Sequence, residues 1–322
     1  MPISLDMIHN DVALANVSIA YKNPDLVCDI LSPVVLVEKQ SDKYWIYDKE
    51  SFRVENDLRK PGSKFKQIDW ELSSDTFYAE GHGLEGKVPV EFTQQQDPGL
   101  DVLSRTTEKV TDKILLNREN NVATALTTLT NYAASNRATL AGSGVTAANQ
   151  WDYATDAGGD PFTVAKNART AVIKGVGKLP NTLVLGFPVF EALKLHASVL
   201  DRIKYSERGV VTAEILATLF EVERVVVAKA MYDTVKKGQT PVLDYLWGKH
   251  ALFAYVPPRP AQLEVSLMYT FRWKDAPNAT EGVSTVKYWD QSVKSWMTQV
   301  DWYYDNKMIS NVAGYFVQNA VA

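Results

Sequence analysis

The stretch from Asp97 to Ser135 reads DPGLDVLSRTTEKVTDKILLNRENNVATALTTLTNYAAS, and its period decides the fold. Asp97 can cap a helix and Pro98 suits the first helical position, where a missing N–H costs nothing. Apolar residues then recur at Leu103, Val110, Ile114, Val122, Leu126 and Leu129, mostly at spacings of four and seven or their sums, which gives one apolar stripe. Asp101 and Glu108 lie in the N-terminal half, where the helix dipole favours acids. After Gly99 no glycine or proline occurs before Gly142. A helix over 97–135 would be roughly 55 Å long at 1.5 Å per residue, several times the usual globular length, and a helix that long acts as a strut.

Upstream of this strut the pattern is weaker. Residues 1–38 carry scattered apolar side chains without period, punctuated by Pro2, Pro24 and Pro33, which fits an extended arm. From Tyr44 to Val88 the period is two, with Lys60-Pro61-Gly62-Ser63 as a turn, so a long polar-tipped hairpin is expected. Four cations, Arg59, Lys60, Lys64 and Lys66, crown an excursion without a core of its own. A tip that leaves its own domain often lands on a neighbour.

Downstream, 142–159 reads as a Gly/Ala/Asn/Asp loop ending at a second cap, Asp160-Pro161. A helix then places Phe162, Ala165, Ala168, Val172 and Val176 on one side and stops in Gly175-Val176-Gly177. Short elements follow: a strand at 182–185, helices at 189–196 and 213–220, and strands at 224–228 and 251–256, together a compact mixed α/β unit. Beyond Pro257-Pro258-Arg259-Pro260 the alternation becomes strict, with Leu263, Val265, Leu267, Tyr269, Phe271 and Trp273 on one face of a long strand. A second stretch puts Trp296, Thr298, Val300, Trp302 and Tyr304 on one face, and 312–321 is expected to return to the α/β unit as a strand.

The 322 residues are enough for about two domains or for one with long excursions, and 34 Lys and Arg against 38 Asp and Glu leave a net charge of −4. No whole-chain basic field argues for gripping nucleic acid or an anionic membrane. The single cysteine, Cys28, excludes an internal disulfide and reads as a small buried position in a reducing compartment. No apolar run approaches the ~18 residues of a membrane span, and the start lacks a signal-peptide pattern, so the chain is expected to stay inside a cell.

Catalytic signatures are missing. No nucleophile elbow, Walker loop, dinucleotide fingerprint or helical zinc pair occurs, and His9, His82, His196 and His250 stand far apart. Asp152, Asp156 and Asp160 miss the alternation of an EF-hand loop. The glycines of Gly81-His82-Gly83-Leu84-Glu85-Gly86 read as flexible backbone at a chain reversal rather than a phosphate cradle. Trp289, Trp296 and Trp302 read as core or subunit-interface aromatics before a sugar-stacking platform.

An arm, a hairpin excursion, a strut helix, an α/β unit and a long strand pair resemble, in that order, the layout of tailed-bacteriophage major capsid proteins. The likeness is sharpest in Thr76-Phe77-Tyr78-Ala79-Glu80-Gly81-His82-Gly83-Leu84, in Lys178-Leu179-Pro180-Asn181-Thr182-Leu183-Val184-Leu185-Gly186 with Phe190-Glu191-Ala192-Leu193, and in Trp247-Gly248-Lys249. The resemblance implies an α+β fold with an N-terminal arm at 1–40 and an extended β-hairpin loop at 41–96. It implies a peripheral domain with a long spine helix and long strands at 97–159 and 262–302, and a compact α/β axial domain at 160–261 and 303–322. It also implies a non-enzymatic virion protein with no cofactor, built in the host cytoplasm into hexamers and pentamers around double-stranded DNA, with scaffold and portal proteins as partners and no membrane. Either the scaffold is a separate chain or this one is already trimmed. Some members weld the loop to a neighbour by a Lys-Asn isopeptide bond, but no motif here assigns a pair to Asn278. Expected inter-subunit contacts are Arg59, Lys60, Lys64 and Lys66 on the tip against Asp101, Glu108, Asp112 and Glu119 on the strut. An encapsulin-type compartment, a carbohydrate-binding virion protein and an enzyme with an undetected site are the alternatives.

Overall fold

The long helix runs over Val102–Thr127, 26 residues, about 39 Å at 1.5 Å per residue. Asp101 caps it, its carboxylate accepting the N–H groups of Leu103 (3.1 Å) and Ser104 (3.2 Å). It stops short of the expected Ser135 because local side chains take over its last carbonyls. Thr127 and Thr128 hydroxyls donate to Ala123 (2.8 Å) and Thr124 (2.6 Å), the Asn131 amide to Ala125 (2.7 Å), and the Tyr132 hydroxyl to Leu126 (2.8 Å).

The computed structural model describes residues 26–47, 54, 56–62, 64–65, 67, 72–95, 101–141, 149–152, 159–204, 210–236, 238–260, 264–277 and 282–322. The arm before residue 26, the Asp97-Pro98 start, Lys66, Asp156 and Asn278 lie outside them. In chain order the helices are α1 (Cys28–Leu31), α2 (Val90–Gln94), α3 (Val102–Thr127), α4 (Pro161–Val176), α5 (Phe187–Leu195), α6 (Ala197–Ile203) and α7 (Ala213–Phe220). The strands are β1 (Val34–Val37), β2 (Ser41–Tyr47), β3 (Leu72–Tyr78), β4 (Glu80–Pro89), β5 (Arg137–Thr139), β6 (Thr182–Gly186), β7 (Arg224–Ala228), β8 (Met231–Asp233), β9 (Leu243–Tyr245), β10 (Ala251–Ala254), β11 (Met268–Trp273), β12 (Val283–Asp290), β13 (Ser295–Met308) and β14 (Gly314–Gln318).

Two five-stranded sheets organise these elements. The first is built on β13, which pairs with β12 and β4 along its first part and with β11 at 304–308, while β1 adds to β11 in parallel. The second has the order β5-β14-β10-β6-β7. Its strands alternate between two cores: Leu183, Leu185, Phe253 and Val317 face the layer of α4 to α7, and Val184, Leu252 and Phe316 face Val122, Leu126, Val27 and Trp247. The first part of α3 instead puts Val110 and Ile114 on Val300, Trp302 and Tyr304 of β13. One helix thus packs against both sheets, which is what makes it a strut.

Several expectations shift for physical reasons. The strand expected from Leu263 begins only at Met268, and β11 is buried on both faces because it is a central strand with the base of the β2–β3 hairpin on one side, Tyr44 and Phe77 lying 5.4 and 4.6 Å from Phe271. The glycine run at 81–86 is not a chain reversal but part of β4, paired with β13 over ten residues. A Cβ on Gly86 would stand 2.4 Å from Thr106 Cγ2 and 2.9 Å from Val110 Cγ2, so this glycine is what lets α3 lie close to β4. The sheets also cross the expected segment borders. Strand β4, from the loop segment, and the whole of β13 share the first sheet, while β5, Leu140 and Trp151 join the second unit. Helix α6 and the β8–β9 ribbon have no counterpart in the sequence reading.

Candidate assembly surfaces

The tip of the β2–β3 excursion exposes apolar and basic side chains together. Val54, Leu58 and Phe65 are 95%, 79% and 80% exposed, and the Arg59 guanidinium lies 4.3 Å from the Phe65 ring centroid. Lys60 and Lys64 are exposed beside them. The stem is firmly based: the Tyr44 hydroxyl donates to Asp75 (3.0 Å), and burial, with that carboxylate, pushes the phenol up from its ordinary value. The Asp75 carboxyl is held low first by the Thr76 N–H and then by Tyr44.

The four acids of the strut do not form one exposed face. Asp101 is engaged as the cap of α3, held low first by the Ser104 hydroxyl. Glu108 is exposed beside Lys109, and Asp112 is half-buried beside the exposed Lys113. Glu119 points inward and is fully buried, so it is withdrawn from the set of inter-subunit contacts. Its carboxylate accepts the Val27 N–H on both oxygens (3.1 and 3.0 Å), the Cys28 N–H (2.7 Å) and the indole N–H of Trp247 (2.6 Å).

Arg118, next to it and only 1% exposed, donates to the Ser32 carbonyl (3.2 Å) and the Thr270 hydroxyl (3.1 Å) and pairs with Asp29. Sequence reasoning passed over Arg118 and read Glu119 as a surface acid, although the signal was present. Apolar Val110, Ile114, Val122 and Leu126 step by four except for a gap at 118, where the charged residue takes the inward position. The Cys28 thiol beside this pair is buried, and burial pushes it far above its ordinary value, so it is inert packing.

At the far end of the first sheet Trp289 and Trp296 are partly exposed and meet edge to face, 5.4 Å apart at 65°, which is not the coplanar platform a sugar face stacks on. Trp302 is instead buried against α3. In the second unit an apolar groove of about 530 Å³ is lined by Phe190, Lys194, Leu200, Val210 and Val211. Among the described residues no group of His, Cys, Asp and Glu could hold a metal ion, and no helix is long and apolar enough to cross a membrane.

No family model matches the sequence. The chain is 32% identical over 275 residues to the major capsid protein of Burkholderia phage BcepMu, covering 83% of this chain and 84% of that one. It superposes on the crystal structure of a phage-related protein from Bordetella bronchiseptica RB50 with a TM-score of 0.72 at 29% identity, over 96% of this chain and 97% of that one. On the capsid structure of cyanophage P-SCSP1u the TM-score is 0.59 at 11% identity over 93% and 89% of the two chains, a likeness of fold alone. The α+β arrangement of strut, hairpin and two sheets is therefore the phage capsid fold, and the shared identity over most of both chains places this protein in the family of bacteriophage major capsid proteins.

Proposed function

We propose that this virion protein assembles with copies of itself into hexamers and pentamers of a closed shell around double-stranded DNA, in the host cytoplasm, with scaffold and portal proteins as partners. The observation that carries the reading is the hairpin tip. Val54, Leu58 and Phe65 are large apolar groups almost fully in water, on an excursion whose packed core, among the described residues, lies at its stem. Such a group gains about 25 cal/mol per Å² when a neighbouring subunit covers it, and closed symmetry repeats the gain in every copy. Arg59, Lys60, Lys64 and Lys66 add charge at that contact. Glu108 and Asp112 are the remaining strut acids for it, each offset by an adjacent lysine. Association through this tip leaves the DNA to be enclosed without sequence readout, consistent with the net charge of −4.

Electron microscopy and sedimentation of the purified chain, alone and with a co-expressed scaffold, test the proposal. Closed particles are expected, and monomer under both conditions would overturn it.

A further inference from the structure

Helix α1 is a single turn of four residues, too short to hold itself together, and its N-cap residue Val27 supplies no side-chain cap. Its free ends are taken by two consecutive residues of another helix. Glu119 on α3 accepts the Val27 and Cys28 N–H groups at the positive end of α1, and Arg118 donates to the Ser32 carbonyl at the negative end. The same two side chains reach outward in opposite directions. Glu119 takes the indole N–H of Trp247, which belongs to the core of the second sheet, and Arg118 takes the Thr270 hydroxyl on β11 of the first. Ser32 and Thr270 hydroxyls close the loop at 2.8 Å, and Thr270 meets Asn306 of β13, also at 2.8 Å.

We propose that Arg118 and Glu119 are positioning residues for assembly: this buried clasp fixes where the Val27–Ser32 segment lies on α3 and how the two sheets stand relative to each other, so that every subunit meets the lattice with one shape. A carboxylate is required at 119. Both of its oxygens receive N–H donors, Cys28 on one and Trp247 on the other, so an amide would turn its own N–H₂ against one of them. Two charged side chains buried at such cost without adding core packing are accounted for by the geometry they enforce.

The inference rests on the shell reading, and the test separates the two. Full-length wild type, Glu119→Gln and Trp247→Phe are compared by amide exchange of the free subunit and by electron microscopy of assembled particles. In Glu119→Gln the Val27 and Cys28 amides are expected to exchange roughly 10- to 100-fold faster, the loss expected for charge-assisted hydrogen bonds, while β6 and β10 amides keep their rates and particle diameters become heterogeneous. Trp247→Phe keeps the bonds to α1 and loses only the link to the second sheet. Its α1 amides should hold while its particles also lose uniformity, which serves as the test if Glu119→Gln does not fold. Unchanged α1 exchange in Glu119→Gln, or particles from either variant matching wild type in yield and diameter, would overturn the clasp. Wild type that makes no particles would overturn the shell reading and the assembly role with it, whereas the exchange result stands on the free subunit alone.

Discussion

Phe253 and Phe65 are the same side chain in opposite settings. Phe253 sits in β10 at 0% exposure, edge-on to Phe220 at 6.3 Å, inside a core made by its own subunit. Phe65 is 80% exposed on the hairpin tip, with Arg59 over its ring. The core around Phe253 is completed within one chain, and Phe65 has no such cover among the described residues. Stability and assembly should therefore separate in this protein: the first belongs to the two sheets and the strut, the second to the surfaces they leave open.

The largest effect breaks the core side of that comparison. Phe253→Ala should cost the free subunit about 3 to 5 kcal/mol, transfer plus cavity, read as a fall in the denaturant midpoint. Phe65→Ala should move the same midpoint by no more than about 0.5 kcal/mol while lowering particle yield. Equal destabilisation by the two would mean that the tip is part of the subunit core after all. A smaller effect, about 1 to 3 kcal/mol, is expected from Gly86→Ala, because the new methyl meets Thr106 and Val110, β-branched side chains with little room to turn away. An unaltered midpoint for Gly86→Ala would show that α3 can lift from β4 freely.

Much of the second unit was legible because its signals are local. Asp160 does cap α4, its carboxylate 3.2 and 3.1 Å from the N–H groups of Phe162 and Thr163, and Gly177 ends it at a φ of 71°. The strand over 224–228 and the helix over 213–220 need no distant partner to be read. The clasp was illegible for the opposite reason. Glu119 looks like any solvated helix acid until Val27 and Trp247, 92 and 128 residues away in sequence, arrive with their N–H groups. Gly83 and Gly86 likewise take their meaning from Asp301 on β13 and Thr106 on α3, so a strand read as a bend. The alternation at 263–273 marked the strand but not its start, which lies at Met268.

Acid should loosen the compact unit before the tip. His250 is half-buried, its Nδ1 accepts the Asn319 N–H at 3.1 Å, and the loss of solvent holds its pKa below the ordinary 6.5. His196 has the same sign from the same cause while its Nδ1 accepts the Ser198 N–H. With folded values below unfolded ones, the stabilisation is complete above about pH 6.5 and is lost progressively as pH falls towards the folded values, because the unfolded chain takes up protons first. The melting temperature of the free subunit should fall from about pH 7.5 to pH 5, and His250→Gln, which keeps an acceptor without a titration in this range, should flatten that fall. The same slope in the variant would assign the acid sensitivity elsewhere.

The smallest effect on stability sharpens the tip side. Lys64 stands exposed among Arg59, Lys60 and Phe65, so reversing its charge disturbs no core. Each exposed pair it could make with a neighbouring subunit contributes only about 0.2 to 1 kcal/mol, too little to alter folding. A closed shell repeats that increment at every copy, so a difference invisible in the monomer accumulates in the particle. Lys64→Glu should therefore leave the thermal midpoint of the subunit nearly unchanged and reduce shell yield at low salt. The wild-type advantage should shrink as ionic strength rises and the Debye length falls from about 30 Å at 0.01 M to about 8 Å at 0.15 M. A deficit that persists undiminished at high salt would assign the tip contact to the apolar burial of Val54, Leu58 and Phe65 rather than to charge. Equal yield of the two proteins at low salt would remove Lys64 from the interface.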